Sequence, residues 1–390
     1  MNTILIILFC IVIFEILVKV YFYFISFSHL DPSRSNYLSK EYQPYLNWIE
    51  DYSIPMFEYM PIGFRIFNKK NKSLDGIAKI NSLGFRTEEF VEKKEGELRI
   101  LLIGASTAFG CGSSSNETTI AGFLEKKFNQ DIKSYPKKSY AKVFNLAQVN
   151  STSTQDIINL SFFSINLKPD IVIGYLGWNE LISSYGQDEN FIKKFETFSI
   201  NEIDDTKSKF YLEADLKKNF FNSLNLFLNR YVFIYKIISK LILRNSVKFN
   251  NQNYNSLEII KNRFKLNQKI FIKNIEILQK LSYAYNFNFY AFTQPYIYKK
   301  EKLVDNEMKV VDLYSYARPV HGGENFATFL RNKDIYKDVI KECEKKNIKI
   351  YNLINIFKDE TIEVFYTLVH NNDYGYKRVA DEIYKLINIK

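Results

Sequence analysis

Five short apolar runs, each closed by a loop and followed by helical periodicity, constrain this chain more than any other feature. The first, Ile100-Leu101-Leu102-Ile103, stops at Gly104 and fits a strand buried on both faces. It delivers Ser106 into the stretch RILLIGASTAFGCG (99–112). Ser114-x-x-Glu117 then has the spacing of a capping box, which predicts a helix running to Phe128. Similar runs follow at 142–147, 169–178, 286–295 and 346–353, with a second capping box at Thr152-x-x-Gln155 and a final helix over about 374–389. Strands alternating with helices, with no meander, predict an α/β fold: one parallel five-stranded sheet sandwiched between helices in three layers. In such sheets, ligands bind at the loops beyond the carboxyl ends of the strands.

Two segments stand outside that rhythm. Residues 183–282 are first polar, then long, apolar and lysine-studded, and are expected to form an inserted helical cap over the loop edge of the sheet, with a membrane surface as the alternative seat for its aromatic and lysine mixture. Residues 1–28 hold about 25 largely apolar positions, enough for a helix to cross a bilayer. Glu15 and Lys19 interrupt that run but stand four apart, so they can pair on one helix face. No small-x-small cleavage pattern follows, and Phe9 precedes Cys10 where a lipoprotein site wants a small residue, so the segment reads as an uncleaved anchor in the lipid bilayer. The alternative is a buried amphipathic helix. Lys19 and Arg34 flank the span on its C-terminal side and taken alone favour that side inside. Residues 29–95 read as a packed lead-in, and 96–390 as the α/β domain.

Composition narrows the function classes. The 390 residues carry a net charge of +10, but the basic residues are spread along the chain and no nucleic-acid-binding motif appears, so nucleic acid is not an expected partner. The three cysteines, Cys10, Cys111 and Cys343, have no metal-ligand spacing and imply neither a disulfide framework nor a metal.

The loop after the first strand fails three familiar motifs. Gly104 and Gly110 are too far apart for a phosphate-binding loop, and Cys111 stands where lysine is needed. Ser115 replaces the third glycine of a dinucleotide fingerprint, and Ala108 replaces the last glycine of a nucleophile elbow. Ser106 is therefore either a nucleophile or a loop residue, and the rest of the chain must decide. Cys111, close by, reads as a small loop residue. A serine nucleophile needs a base and oxyanion donors. Of the three histidines, His29 sits beside the anchor and His321 in a loop, whereas His370 follows the last strand and precedes the final helix, at the same sheet edge as Ser106. Asn179 ends the third strand and can donate its amide to an oxyanion, and the loop 148–151 offers backbone N–H groups.

These four places, in this order, resemble the SGNH (GDSL-type) hydrolases over residues 96–182 and 286–390. RILLIGASTAFGCG is similar to the family's first block, VFNLAQVNSTSTQ to its second, GYLGWNE to its third and VHNNDYGYKRVADEI to its fifth. The lead-in NSLGFR is similar to membrane-anchored bacterial members. The resemblance implies a flavodoxin-like sheet and a serine esterase without a cofactor. Ser106 would be the nucleophile and His370 the base, with an oxyanion hole from Ser106, Asn150 and Asn179 and supporting positions at Gly104, Gly177 and Thr367. It further implies an ester substrate such as an O-acetylated surface or cell-wall polysaccharide, transfer to a sugar hydroxyl as a variant, and an extracytoplasmic catalytic domain. Two departures bear on this. Asn150 stands where the family has glycine, and Thr367 where it has the aspartate that orients the imidazole. Glu180 replaces the aspartate common after Asn179. Glu363 and Asp373 lie near His370, but neither is at the orienting spacing. Thr367 leaves open a second expectation, a catalytically weak protein of this fold that binds a glycan or a partner in polysaccharide assembly.

Overall fold

The structure is a computed structural model, and it describes residues 77–149, 151–182, 257–312 and 323–388. All of these lie in one compact unit, Asn36–Tyr185 with Leu257–Lys390. The expected anchor 1–28, most of the lead-in, Asn150, His321 and residues 183–256 of the expected cap lie outside the described residues. Among the described residues, no helix is long and apolar enough to cross a membrane.

The expected sheet is present. Strand β1 (Glu97–Gly104) is buried at every position and leads into a single turn, α1 (Ser106–Phe109). After it come α2 (Ile120–Gln130), β2 (Tyr140–Asn145), α3 (Ser153–Phe162), β3 (Ile171–Leu176) and α4 (Trp178–Ile182). Then follow α5 (Leu257–Tyr285), β4 (Asn288–Thr293), α6 (Asp305–Asp312), α7 (Gly323–Asn332), α8 (Lys337–Lys345), the two-residue β5 (Ile350–Tyr351) and α9 (Asp373–Asn388). Every pairing is parallel and the order is β2-β1-β3-β4-β5. The chain leaves β1 toward β2 and then reverses toward β3, β4 and β5. Right-handed crossovers therefore put α2 on one face and α3, α5 and α8 on the other. Contacts agree: α2 packs on α9 and β2, and α5 packs on α3 and α8. The reversal makes the ends of β1 and β3 a topological switch point, the place where open α/β sheets generally bind ligands.

Two expectations change at this level. Residues 257–282 are not part of a cap. Helix α5 buries Phe264, Phe271, Ile275 and Leu278 along one stripe and forms the crossover between β3 and β4, with its lysines on the outer face. Ser114 is also not a helix cap: α2 begins at Ile120, with Thr119 Oγ1 accepting from Gly122 N at 3.2 Å. The second capping box holds, because Gln155 Oε1 accepts the Thr152 N–H at 2.8 Å.

Candidate active site

Gly104 ends β1 at φ +144°, and a Cβ there would lie 2.4 Å from Tyr175 O, so only glycine lets β1 and β3 approach this closely before the chain turns. The turn places Ser106 at the first position of α1, where its N–H has no acceptor inside the helix. At the end of β3, Gly177 repeats the device at φ +118°, with the Tyr336 ring 2.6 Å from where a Cβ would be. Asn179 follows it. Its Nδ2 donates to Ser151 O at 2.8 Å, and an amide carries a second hydrogen free to donate elsewhere.

The second loop is stitched to the first. Gln148 N donates to Gly104 O at 3.0 Å, and Ser151 Oγ donates to the same oxygen at 3.0 Å. Glu180 joins the second and third loops, accepting from Ser153 N at 2.6 Å and Gly177 N at 2.7 Å. Burial holds its carboxyl above the ordinary value, an upward push that the backbone N–H groups offset only in part. Gln294, from the end of β4, accepts from Trp178 N at 3.3 Å and donates to Tyr175 O at 2.9 Å.

The candidate base arrives from the far end of the chain. His370 Nε2 lies 2.8 Å from Ser106 Oγ, and His370 Nδ1 lies 2.9 Å from Thr367 Oγ1. Thr367 Oγ1 also accepts from His370 N at 3.1 Å. Burial lowers the imidazole from its ordinary value to about 4, so it stands neutral at pH 7 and available as a proton acceptor. Neither carboxylate near it in sequence is behind the ring. Glu363 accepts from Asn306 Nδ2 at 3.0 Å, and Asp373 faces Ser114. The group behind the imidazole is the threonine hydroxyl itself.

Several residues that hold this arrangement carry no chemical motif of their own. Arg86, in the NSLGFR stretch, donates through Nη1 to Gly110 O at 2.7 Å, through Nη2 to Ile77 O at 2.7 Å and Ser115 O at 3.1 Å, and through Nε to Asn116 Oδ1 at 3.0 Å. It thereby clamps the loop that leaves α1. Asp373 Oδ1 accepts from Ser114 N at 2.8 Å, its other oxygen takes the Ser114 hydroxyl, and Tyr376 Oη donates to Cys111 O at 2.6 Å. The serine loop is thus clasped to the helix that begins three residues after His370. Cys111 is buried within this clasp. Among the described residues, no group of three or more His, Cys, Asp or Glu side chains could hold a metal ion.

No family model matches the chain, and no curated protein matches it. Among solved structures it is similar to an α/β hydrolase enzyme from the metagenome of Lake Arreo (10% identity, TM-score 0.35, 75% of this chain and 95% of that one covered). It is also similar to a putative acylhydrolase from Bacteroides fragilis (11%, 0.36, 77% and 91%). A third is a catalytic mutant of an acetylxylan esterase from Geobacillus stearothermophilus (12%, 0.37, 77% and 98%).

Proposed function

We propose that this chain is a serine ester hydrolase of the SGNH kind. The observation that carries the reading is the hydrogen-bonded chain Ser106 Oγ, His370, Thr367 Oγ1, at 2.8 and 2.9 Å, assembled where β1 and β3 diverge. Ser106 Oγ attacks the ester carbonyl while His370 Nε2 takes its proton. The same proton then goes to the leaving alcohol, giving an acyl-serine. Water, deprotonated by His370, releases the acid and restores the serine; a sugar hydroxyl in place of water makes the step a transfer. The developing oxyanion is held by the N–H groups of Ser106 and Asn150 and by Asn179 Nδ2.

The proposal extends to an O-acetylated surface or cell-wall glycan as substrate and to an N-terminal helix over 1–28 that anchors an extracytoplasmic domain in the bilayer. Those parts are supported by the four sequence blocks and the apolar N-terminus. A second reading, a catalytically weak glycan- or partner-binding protein, is favoured by the neutral hydroxyl of Thr367 behind the base.

Fluorophosphonate labelling of the full chain in detergent separates the two. An adduct on Ser106 is expected; a folded chain that takes no label refutes the esterase. Asn179→Ala is expected to lower kcat for p-nitrophenyl acetate by about 10²-fold, the usual loss for one oxyanion donor, with KM little changed. Undiminished kcat would place the oxyanion elsewhere.

A further inference from the structure

The loop that carries the base is a tight hairpin. Phe365 and Asn371 form an antiparallel bridge, Tyr366 N donates to His370 O at 2.9 Å, and Asn372 N donates to Val364 O at 2.9 Å. Thr367 and His370 stand at its turn. The foot of this hairpin is gripped by two charged side chains, Lys300 and Glu307, that are both fully buried. Glu307, on α6, accepts from Val364 N at 2.9 Å and Phe365 N at 3.1 Å through Oε1. Its Oε2 accepts from Val304 N at 3.2 Å and pairs with Lys300 Nζ. Lys300 Nζ also donates to Ile362 O at 2.5 Å. From the same segment, Ile297 N donates to Leu368 O at 2.9 Å.

Burying an ion pair is costly, and well-packed apolar side chains of similar volume often serve stability as well or better. An apolar pair, however, offers no acceptor to the Val364 and Phe365 N–H groups and no donor to Ile362 O, and buried backbone groups left without partners are strongly disfavoured. The pair thus does something packing does not: it fixes three backbone atoms immediately ahead of Thr367. Resting on the reading of Ser106 and His370 as nucleophile and base, we propose that Lys300 and Glu307 are positioning residues. They register the base hairpin against the end of β4 so that His370 Nε2 meets Ser106 Oγ. A displacement of about 1 Å between reacting groups costs on the order of 10²-fold in rate, which sets the scale of the effect.

Two double variants of the full chain test this. K300M/E307Q keeps shape and an acceptor for Val364 and Phe365 but loses the bond to Ile362 O and the charge. It is expected to fold, to lower kcat for p-nitrophenyl acetate about 10-fold with KM within threefold, and to move the His370 titration upward from about 4 as the loosened hairpin admits water. K300M/E307M loses all three backbone ties and is expected to lower kcat about 100-fold. The titration is read by NMR on chain labelled with [13C]histidine, with His370→Asn identifying the signal. Folded K300M/E307Q with kcat within twofold of the parent and an unmoved titration would overturn the proposal and leave the pair a packing element. If K300M/E307M does not fold, K300M/E307Q decides alone. If the parent chain takes no fluorophosphonate, the esterase reading falls, while the titration still tests whether the pair holds His370.

Discussion

Ser106→Ala removes all fluorophosphonate labelling and lowers kcat for p-nitrophenyl acetate by about 10⁴-fold or more, against the roughly 10⁶-fold that deleting the nucleophile costs a serine hydrolase with a full triad. The substitution leaves the N–H of residue 106 in place, so the oxyanion donors survive and the loss reports the nucleophile. Little stability is expected to go with it. Ser106 Oγ bonds to His370, and alanine is the best residue for the turn of α1 in which it stands. A melting temperature close to the parent's, together with lost turnover, is therefore the expected pair of results. Activity above a hundredth of the parent's, or label moving to the buried Cys111 thiol, would transfer the nucleophile elsewhere.

Thr367→Asp is expected to raise kcat, by about 10²-fold. For Nε2 to accept the Ser106 proton, Nδ1 must carry the ring hydrogen and donate it to Thr367 Oγ1. A hydroxyl can also donate to Nδ1, which would put the hydrogen on Nε2, the wrong nitrogen for a base. A carboxylate only accepts. It fixes the tautomer and stabilises the imidazolium, and in serine proteases its loss costs about 10⁴-fold. Aspartate at 367 can keep the acceptor role toward His370 N with one oxygen and take Nδ1–H with the other. The pH profile separates this from a packing effect. In the parent, burial holds His370 at about 4, so kcat/KM is expected to be flat from neutrality down to about pH 5 and to fall through pH 4. A carboxylate beside the ring favours its charged form, so the acid limb of Thr367→Asp moves upward. An unmoved limb would mean that the new carboxylate does not reach the imidazole. The same burial makes the unfolded chain bind more protons than the folded one between about pH 4 and His370's ordinary 6.5, so this residue's contribution to stability falls as pH drops through that window.

The residues legible from sequence were those whose placement is written locally. Gly104 and Gly177 mark where strands end, and Ser106, Asn179 and His370 each follow a strand, so their common edge follows from βα order alone. What resisted reading depends on distant partners. Ser114-x-x-Glu117 satisfies the cap spacing, yet Ser114 is taken by Asp373, 259 positions away, and Thr119 caps the helix instead. Nothing local marks Lys300 or Glu307 as buried, and only the fold encloses both side chains. Lysine-studded α5 looks like a cap because its polar face is conspicuous; its apolar stripe, Phe264, Phe271, Ile275 and Leu278, is what joins it to the sheet. Thr367 was visible as a departure, but only the hairpin shows it turned onto His370 Nδ1 in the place of a carboxylate.

The contact between Ser106 and His370 spans 264 positions, and the clasp from Tyr376 to Cys111 spans 265. A ribosome adding about 5–20 residues per second needs roughly 15–50 s to travel that far. On the proposed reading of Ser106 as nucleophile and His370 as base, the growing chain carries its serine without that base for all of the interval. On that reading the order of synthesis keeps the nascent polypeptide silent toward esters until the hairpin that carries His370 docks, and a chain cut short before residue 370 is expected to stay silent however much of the sheet has formed.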